Sequence, residues 1–218
     1  VSLEFSDADQ GTDAWLASRL GYITASRIRD VRDRLKGGGF SARATLYAQD
    51  IARERCGGQP ERPFETWAMR QGKEAEEAAL LAYVEKQRAT VVLSGFAFDR
   101  DRLYGCSPDA IVVHDGLGDT DGMAEVKTLV GSSSLFKVLV DGDISGYMDQ
   151  IQFSLYLLER EWCDLVLWTP DFGLAAIRRI PMDPDYISAM LADIATFEVM
   201  VDANVSAIEA ALDDKERK

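Results

Sequence analysis

Two short blocks, Ser107-Pro108-Asp109 and Glu125-Val126-Lys127, constrain this chain more than any other feature. Between them, Ala110-Ile111-Val112-Val113 is rich in β-branched residues and predicts a strand, whereas the glycines and aspartates of 115–121 cannot easily continue it and predict a loop. Met123 to Lys127 then returns as a second strand beside the first. Pro108 suits a strand start, where no ladder donor is lost. Side chains two apart on a strand share a face, so Glu125 and Lys127 point one way and Val126 the other. An aspartate on the neighbouring strand can join them, and the fold is then built around a strand-loop-strand unit that gathers one Asp, one Glu and one Lys.

That trio has a definite chemistry. Two carboxylates suit Mg²⁺ or Mn²⁺, hard cations that prefer carboxylate, carbonyl and water oxygens, and the Val126 carbonyl is available as a further ligand. A nearby lysine can orient or help deprotonate a water and offset charge developing on phosphorus. The pattern therefore points to metal-dependent phosphodiester cleavage. The same spacing also occurs on solvated faces and in surface ion pairs, so the rest of the chain must decide.

With 218 residues, 47% of them hydrophobic, the chain can bury roughly 70% of its unfolded surface in one sizeable core. A single domain over 1–218 is expected, with a helical part over 1–64, a catalytic core over 65–182 and a long amphipathic helix over 183–218. No stretch approaches the ~20 apolar residues of a membrane span, and the first residues lack a basic start and an apolar signal core, so a cytosolic protein with no membrane partner is expected. Cys56, Cys106 and Cys163 are odd in number and contain no Cys-x-x-Cys pair, which argues against a disulfide framework or a zinc ribbon. The single histidine, His114, excludes a histidine-rich metal site and is read as incidental.

The net charge of −13 opposes a nucleic-acid partner until its distribution is considered. Seven basic residues lie between Arg19 and Arg43, among them Arg27, Arg34 and Lys36, against two acids; from Asp183 to Lys218 there are nine acids and three bases. This polarity suggests a phosphate-facing surface on an otherwise acidic molecule.

Helices are expected over 12–20, capped by Thr12 or Asp13 and ended by Gly21; from Thr24 or Ser26 to Lys36; over 42–56; over 65–86; over 134–139; over 145–160; and over 184–212. Strands are expected over 91–98, over 103–106 and as a hairpin of 165–168 with 174–180. In the helix over 65–86, Ala68, Gly72, Ala75, Ala79 and Ala82 form a small-residue stripe that should pack closely. Glu74, Glu76 and Glu77 compete as a third acid. The neighbours of Glu76 at helical spacing include Gly72, Ala79, Leu80 and Tyr83, which favours it. Gln150 lies at the edge of the apolar stripe of its helix, placed either to reach the site or to bond to backbone. The glycine run 37–39 lacks a following Gly-Lys-Ser or Gly-Lys-Thr, so nucleoside triphosphate binding is rejected.

In this order the elements resemble the restriction-endonuclease-like core, a mixed α/β fold with a central mixed β-sheet flanked by helices. More specifically, the chain resembles the lambda-type phage exonucleases of the YqaJ-like viral recombinase family. The resemblance rests on Gln10 to Trp15 with Arg19-Leu20-Gly21 and Thr24-Ala25-Ser26, on Gly72 to Glu76, on the two blocks above, and on Tyr147 to Gln152. It implies that Asp109 and Glu125 hold divalent metals, that Glu76 contributes at a second metal position, that Lys127 positions or activates water and that Gln150 supports it. Arg19, Ser26 and Ser107 match positions that hold the 5′-phosphate of a DNA end, and Met69 matches an apolar wedge at the terminal base pair. The implied activity is processive 5′-to-3′ degradation of one strand of linear duplex DNA, by a homotrimeric ring that works with a single-strand annealing protein. Ala110 and Thr128 depart from the glycine and the Cys-Pro that commonly follow these blocks, which puts the local loop shape in question. The alternatives are a structure-specific or site-specific endonuclease on the same core and a catalytically silent DNA-end module.

Overall fold

The structure, a computed structural model, describes residues 3–59, 66–114, 117–118 and 121–216. Most of the loop expected over 115–121 therefore lies outside the described residues, as does Glu65.

β6 (Ala110–His114) and β7 (Gly122–Thr128) pair antiparallel, with Ala110 opposite Ala124. β7 then pairs in parallel with β8 (Trp162–Thr169) from Gly122↔Trp162 to Thr128↔Trp168, and β8 turns back into β9 (Gly173–Pro181). With β3 (Thr90–Val92) on the far edge, the order is β3-β6-β7-β8-β9. The parallel step needs a crossover, supplied by α5 (Ser132–Leu135), a π-helical turn at Phe136–Val140 and α6 (Ser145–Leu158). β7 and β8 are buried along most of their length, as central strands covered on both faces should be.

A second sheet, β1-β4-β5-β2, joins β1 (Leu3–Phe5), β4 (Ala97–Asp99), β5 (Tyr104–Cys106) and β2 (Ile23–Thr24). The strand expected over 91–98 is thus two strands in two sheets. The chain changes sheet at Gly95, where a Cβ would lie 2.2 Å from the Ser6 carbonyl oxygen, and Ser6 N–H bonds to Phe96 O at 2.8 Å.

α1 (Asp13–Ser18) is capped by Thr12 and followed by Gly21 at φ 76, as expected. The helix expected to carry the basic run to Lys36 is corrected: a 3-10 turn at Ala25–Arg27 leads into α2 (Ile28–Val31), which stops there. Its C-cap, Arg32, is drawn into ion pairs with Asp149 and Asp193, and an isolated bridge between Arg34 and Phe40 closes the turn beyond. α3 (Ala42–Arg55) agrees with the sequence reading.

α4 (Trp67–Gln87) begins at Thr66, whose hydroxyl accepts from Met69 N–H. Its C-terminal half packs closely: Ala79, Leu80 and Tyr83 are buried against Ala110, Val112, Ala124, Val126 and Val166. At Gly72 a Cβ would meet nothing within 4 Å, so the expected close packing does not extend along the whole stripe. α7 (Pro184–Glu216) buries Ile187, Met190, Ile194, Phe197 and Val201, but Leu212 is 50% exposed. α3 is roughly 21 Å long and α7 roughly 50 Å, so the stripe outruns the helix it packs on. No helix among the described residues is long and apolar enough to cross a membrane.

Candidate active site

The β6–β7 register sets the centre of the site. Asp109 immediately precedes β6 and lies one step beyond the Ala110↔Ala124 pair, opposite Glu125. Its Oδ2 accepts from Val126 N–H at 2.6 Å. Glu125 is 2% exposed, and Lys127 shares its face as the strand period requires: Lys127 Nζ donates to Glu125 Oε1 at 2.6 Å and to Gln150 Oε1 at 3.1 Å. Gln150 Nε2 donates to the same Glu125 oxygen at 2.5 Å. The two open readings of Gln150 are thereby resolved in favour of side-chain contact with the trio.

Burial opposes the charge on Lys127, but the Glu125 and Asp109 carboxylates and the bond to Glu125 outweigh it and raise the lysine pKa. In this arrangement Lys127 is a donor of hydrogen bonds. Burial pushes the Asp109 carboxyl well above the usual range, and the charges of Glu125 and Glu76 push the same way against Lys127 and the Val126 N–H. Glu76, half-buried on α4, is raised by burial and then by Glu125. Glu74 instead faces solvent and accepts from Gln71.

The charge of Glu125 helps to raise the pKa of both Asp109 and Glu76, and carboxylates gathered in this way form a place where a cation is favourable. Glu125 Oε2 is also buried without a hydrogen-bond partner. Among the described residues no three His, Cys, Asp or Glu side chains close into a ready-made cage. The donor set fits a hard cation that keeps several waters and takes one or two carboxylates.

Beside this centre stands a second group. Arg19 Nη1 donates to Ser107 Oγ at 3.2 Å and Nη2 to Ser26 Oγ at 3.4 Å. Trp15 Nε1 donates to the same Ser107 oxygen at 3.3 Å, and the Arg19 guanidinium lies 4.1 Å over the Trp15 ring. Burial lowers the Arg19 pKa. The turn that presents Arg19 is clamped from α3: Gly21 N–H donates to Glu54 Oε2 at 2.8 Å, and Arg55 Nε donates to Gly21 O at 3.0 Å. The sequence placed Trp15 in the Gln10–Trp15 block but gave it no role, and Glu54 and Arg55 were not singled out; the four-residue step from Trp15 to Arg19 was the available signal for the first.

An open cleft of about 1520 Å³ runs past Arg19, Ser26, Arg27, Met69, Lys73 and Glu76. Arg27 also pairs with Asp30 at 2.5 Å and lies over the Tyr47 ring. Arg34 turns away, with its guanidinium 3.7 Å over Phe40 and 3.6 Å from Asp193, and Lys36 is exposed in the following turn. His114 is exposed at the far end of β6, opposite Thr90. Cys106 and Cys163 are buried and Cys56 partly so.

Residues 14–161 match the YqaJ-like viral recombinase domain. The chain belongs to the YqaJ-like viral recombinase family. Among solved structures it is similar to the alkaline exonuclease LHK-Exo from Laribacter hongkongensis, with a TM-score of 0.78 at 25% identity over 93% of this chain and 99% of that one. LHK-Exo in complex with dAMP gives 0.78 at 26% identity over the same shares. A phage-related exonuclease from Haemophilus somnus 129PT, 14% identical over 86% of this chain and 96% of that one, shares the fold with a TM-score of 0.64. No curated protein sequence matches the chain. This YqaJ-like chain thus carries the alkaline exonuclease fold, a nuclease fold, and the mixed α/β architecture expected from the sequence is the one observed.

Proposed function

We propose that this chain is a Mg²⁺- or Mn²⁺-dependent exonuclease that degrades the 5′-ended strand of linear double-stranded DNA and leaves 3′ single-stranded tails. The observation that carries the reading is the joining of the two groups by Ser107-Pro108-Asp109. Ser107 Oγ is shared by Arg19 and Trp15, while Asp109, two residues on, senses the charges of Glu125 and Glu76. Two residues of extended chain span roughly 7 Å, so an anion at Ser107 and a phosphodiester at Asp109 are neighbouring groups of one strand. Holding a terminal phosphate beside the point of cleavage selects an end. A guanidinium fork with two hydroxyls suits that phosphate, and the dAMP bound to LHK-Exo supports a pocket for a single nucleotide.

Asp109, Glu125 and the Val126 carbonyl, with Glu76 at a second position, are the groups that would hold the metal, which when bound supplies Lewis acidity toward the phosphoryl oxygen. Lys127 donates a hydrogen bond toward the attacking water and offsets charge developing on phosphorus. Gln150 fixes the ammonium through its carbonyl and Glu125 through its amide. Met69, 48% exposed on the cleft wall, presses on the terminal base pair. A homotrimeric ring around duplex DNA, a single-strand annealing protein that receives the 3′ tail and a place in the cytoplasm belong to the same proposal and rest on the family resemblance.

The test is linear duplex with 5′-phosphates, labelled at one end or the other, beside covalently closed plasmid. With Mg²⁺ the expected outcome is release of mononucleotides from the 5′-labelled end, an intact plasmid, and no release in EDTA. Cleavage of the plasmid would replace the reading with an endonuclease, first release from the 3′ label would reverse the polarity, and no cleavage of any DNA would leave a binding module.

A further inference from the structure

Gln150 is the one member of the site carried on α6, so the rotation of α6 about its axis decides whether the carboxamide reaches Lys127 and Glu125. The preceding residue, Asp149, points about 100° around the helix from Gln150 and is held from two directions. Its Oδ1 accepts from Arg32 Nη1 at 2.5 Å and from Tyr186 OH at 2.7 Å. Arg32 in turn donates through Nε to Asp193 Oδ2 at 2.9 Å and lies over the Tyr186 ring at 4.9 Å. On the same side of α6, Gln152 Nε2 donates to Pro181 O at 2.9 Å and its Oε1 accepts from Asp183 N–H at 2.8 Å. The first turn of α7, through Tyr186, and the β9–α7 junction, through Pro181 and Asp183, therefore grip α6 at two points, one of them adjacent in sequence to Gln150.

Arg32 is also the end of the continuous piece that begins with Ser26 and Arg27 in the 3-10 turn and passes through α2. The grip on Asp149 thus connects the backbone of the anion-holding group to the helix that carries Gln150. We propose that Asp149, held by Arg32 and Tyr186, is a positioning residue that fixes the rotation of α6 so that Gln150 bridges Lys127 and Glu125. The inference rests on the nuclease reading above. A carboxylate with a side chain 15% exposed, bonded to a guanidinium and a phenol, is geometrically stiff, and small displacements of a group that orients reactants reduce turnover more than binding.

The experiment is a double-mutant cycle on the full chain, with linear 5′-phosphorylated duplex and Mg²⁺, reading kcat, KM and Tm. Asp149→Asn is expected to lower kcat on the order of tenfold to a hundredfold with KM little changed, and to cause no further loss when combined with Gln150→Ala. Tyr186→Phe removes one of the two bonds, serves if Asp149→Asn does not fold, and is expected to give a smaller loss that also vanishes in the Gln150→Ala background. Losses that add independently to that of Gln150→Ala, or a fall in Tm with kcat unchanged, would overturn the proposal. If Gln150→Ala alone leaves kcat unchanged, this inference falls together with the assigned role of Gln150. If Gln150→Ala lowers kcat and the Asp149 loss is additive, the nuclease reading stands and only this inference falls.

Discussion

Asp109 is held in the folded state against its own charge. Burial and the carboxylates of Glu125 and Glu76 raise its pKa well above that of the unfolded chain, so without metal the native state binds protons that the unfolded state has already released. The contribution of Asp109 to stability is then fully present below the unfolded aspartate pKa and is lost as pH rises through the raised folded value. Asp109→Asn removes that burden while an amide oxygen can still accept from Val126 N–H. The variant is expected to have a higher Tm than the parent at neutral pH in EDTA, a flatter pH profile of Tm and no nuclease activity, a trade of activity for stability common at functional sites. A lower Tm for Asp109→Asn in a thermal scan would contradict the account. Lys127→Ala, measured on linear duplex, should reduce kcat about a hundredfold to ten-thousandfold, because a positioned donor beside the reacting phosphate is lost. Arg19→Lys tests geometry separately from charge: a lysine cannot reach Ser107 and Ser26 with one rigid fork. Its expected effect is loss of discrimination between 5′-phosphate and 5′-hydroxyl ends, read as the ratio of their kcat/KM values.

α4 has a packed half and an open half, and Gly72 lies in the open one. Its backbone is helical and a Cβ would meet nothing within 4 Å, so Gly72→Ala is expected to stabilise the protein by about 0.5–1 kcal/mol, read as a Tm increase of roughly 1–4 °C. A fall in Tm would mean that the small-residue stripe packs more closely than the structure has it. The same helix illustrates what could be read from the sequence. Glu76 is separable from Glu74 and Glu77 by helical spacing because Leu80 and Tyr83 lie on its face, and Asp109, Glu125 and Lys127 follow from strand period because the contacts that join them are local. β1 and β2 are too short to carry a periodic signal. The division of 91–98 between two sheets depends on the approach of Ser6 to Gly95, and the early stop of α2 on ion pairs from Arg32 to Asp149 and Asp193. Contacts at those separations have no local signature, which is also why the grip on α6 was invisible before the fold was known.

The distribution of charge over the whole molecule differs from its distribution along the chain. The run from Arg19 to Arg43 reads as one basic surface, yet folding pairs much of it with acids or rings: Arg27 with Asp30, Arg32 with Asp149 and Asp193, Arg34 with Asp193 and Phe40, and Arg43 with Asp30 at 3.6 Å. The acidic C-terminal helix supplies one of these partners, so part of the polarity seen in the sequence is cancelled across the α2–α7 contact. Arg19, by contrast, faces the cleft, and its two terminal nitrogens donate to the hydroxyls of Ser107 and Ser26. Counterion release separates the two kinds of arginine, since each phosphate neutralised adds close to one unit to the slope of log K against log salt. Binding of linear duplex, measured between low and moderate salt in Ca²⁺ or EDTA so that no strand is cleaved, should lose about one unit of slope in Arg19→Ala. Arg34→Ala should leave the slope unchanged and instead lower Tm, because it removes a cation held between Phe40 and Asp193. A loss of slope in Arg34→Ala equal to that of Arg19→Ala would place the basic run on the DNA after all, and would require α2 and α7 to separate when the duplex binds.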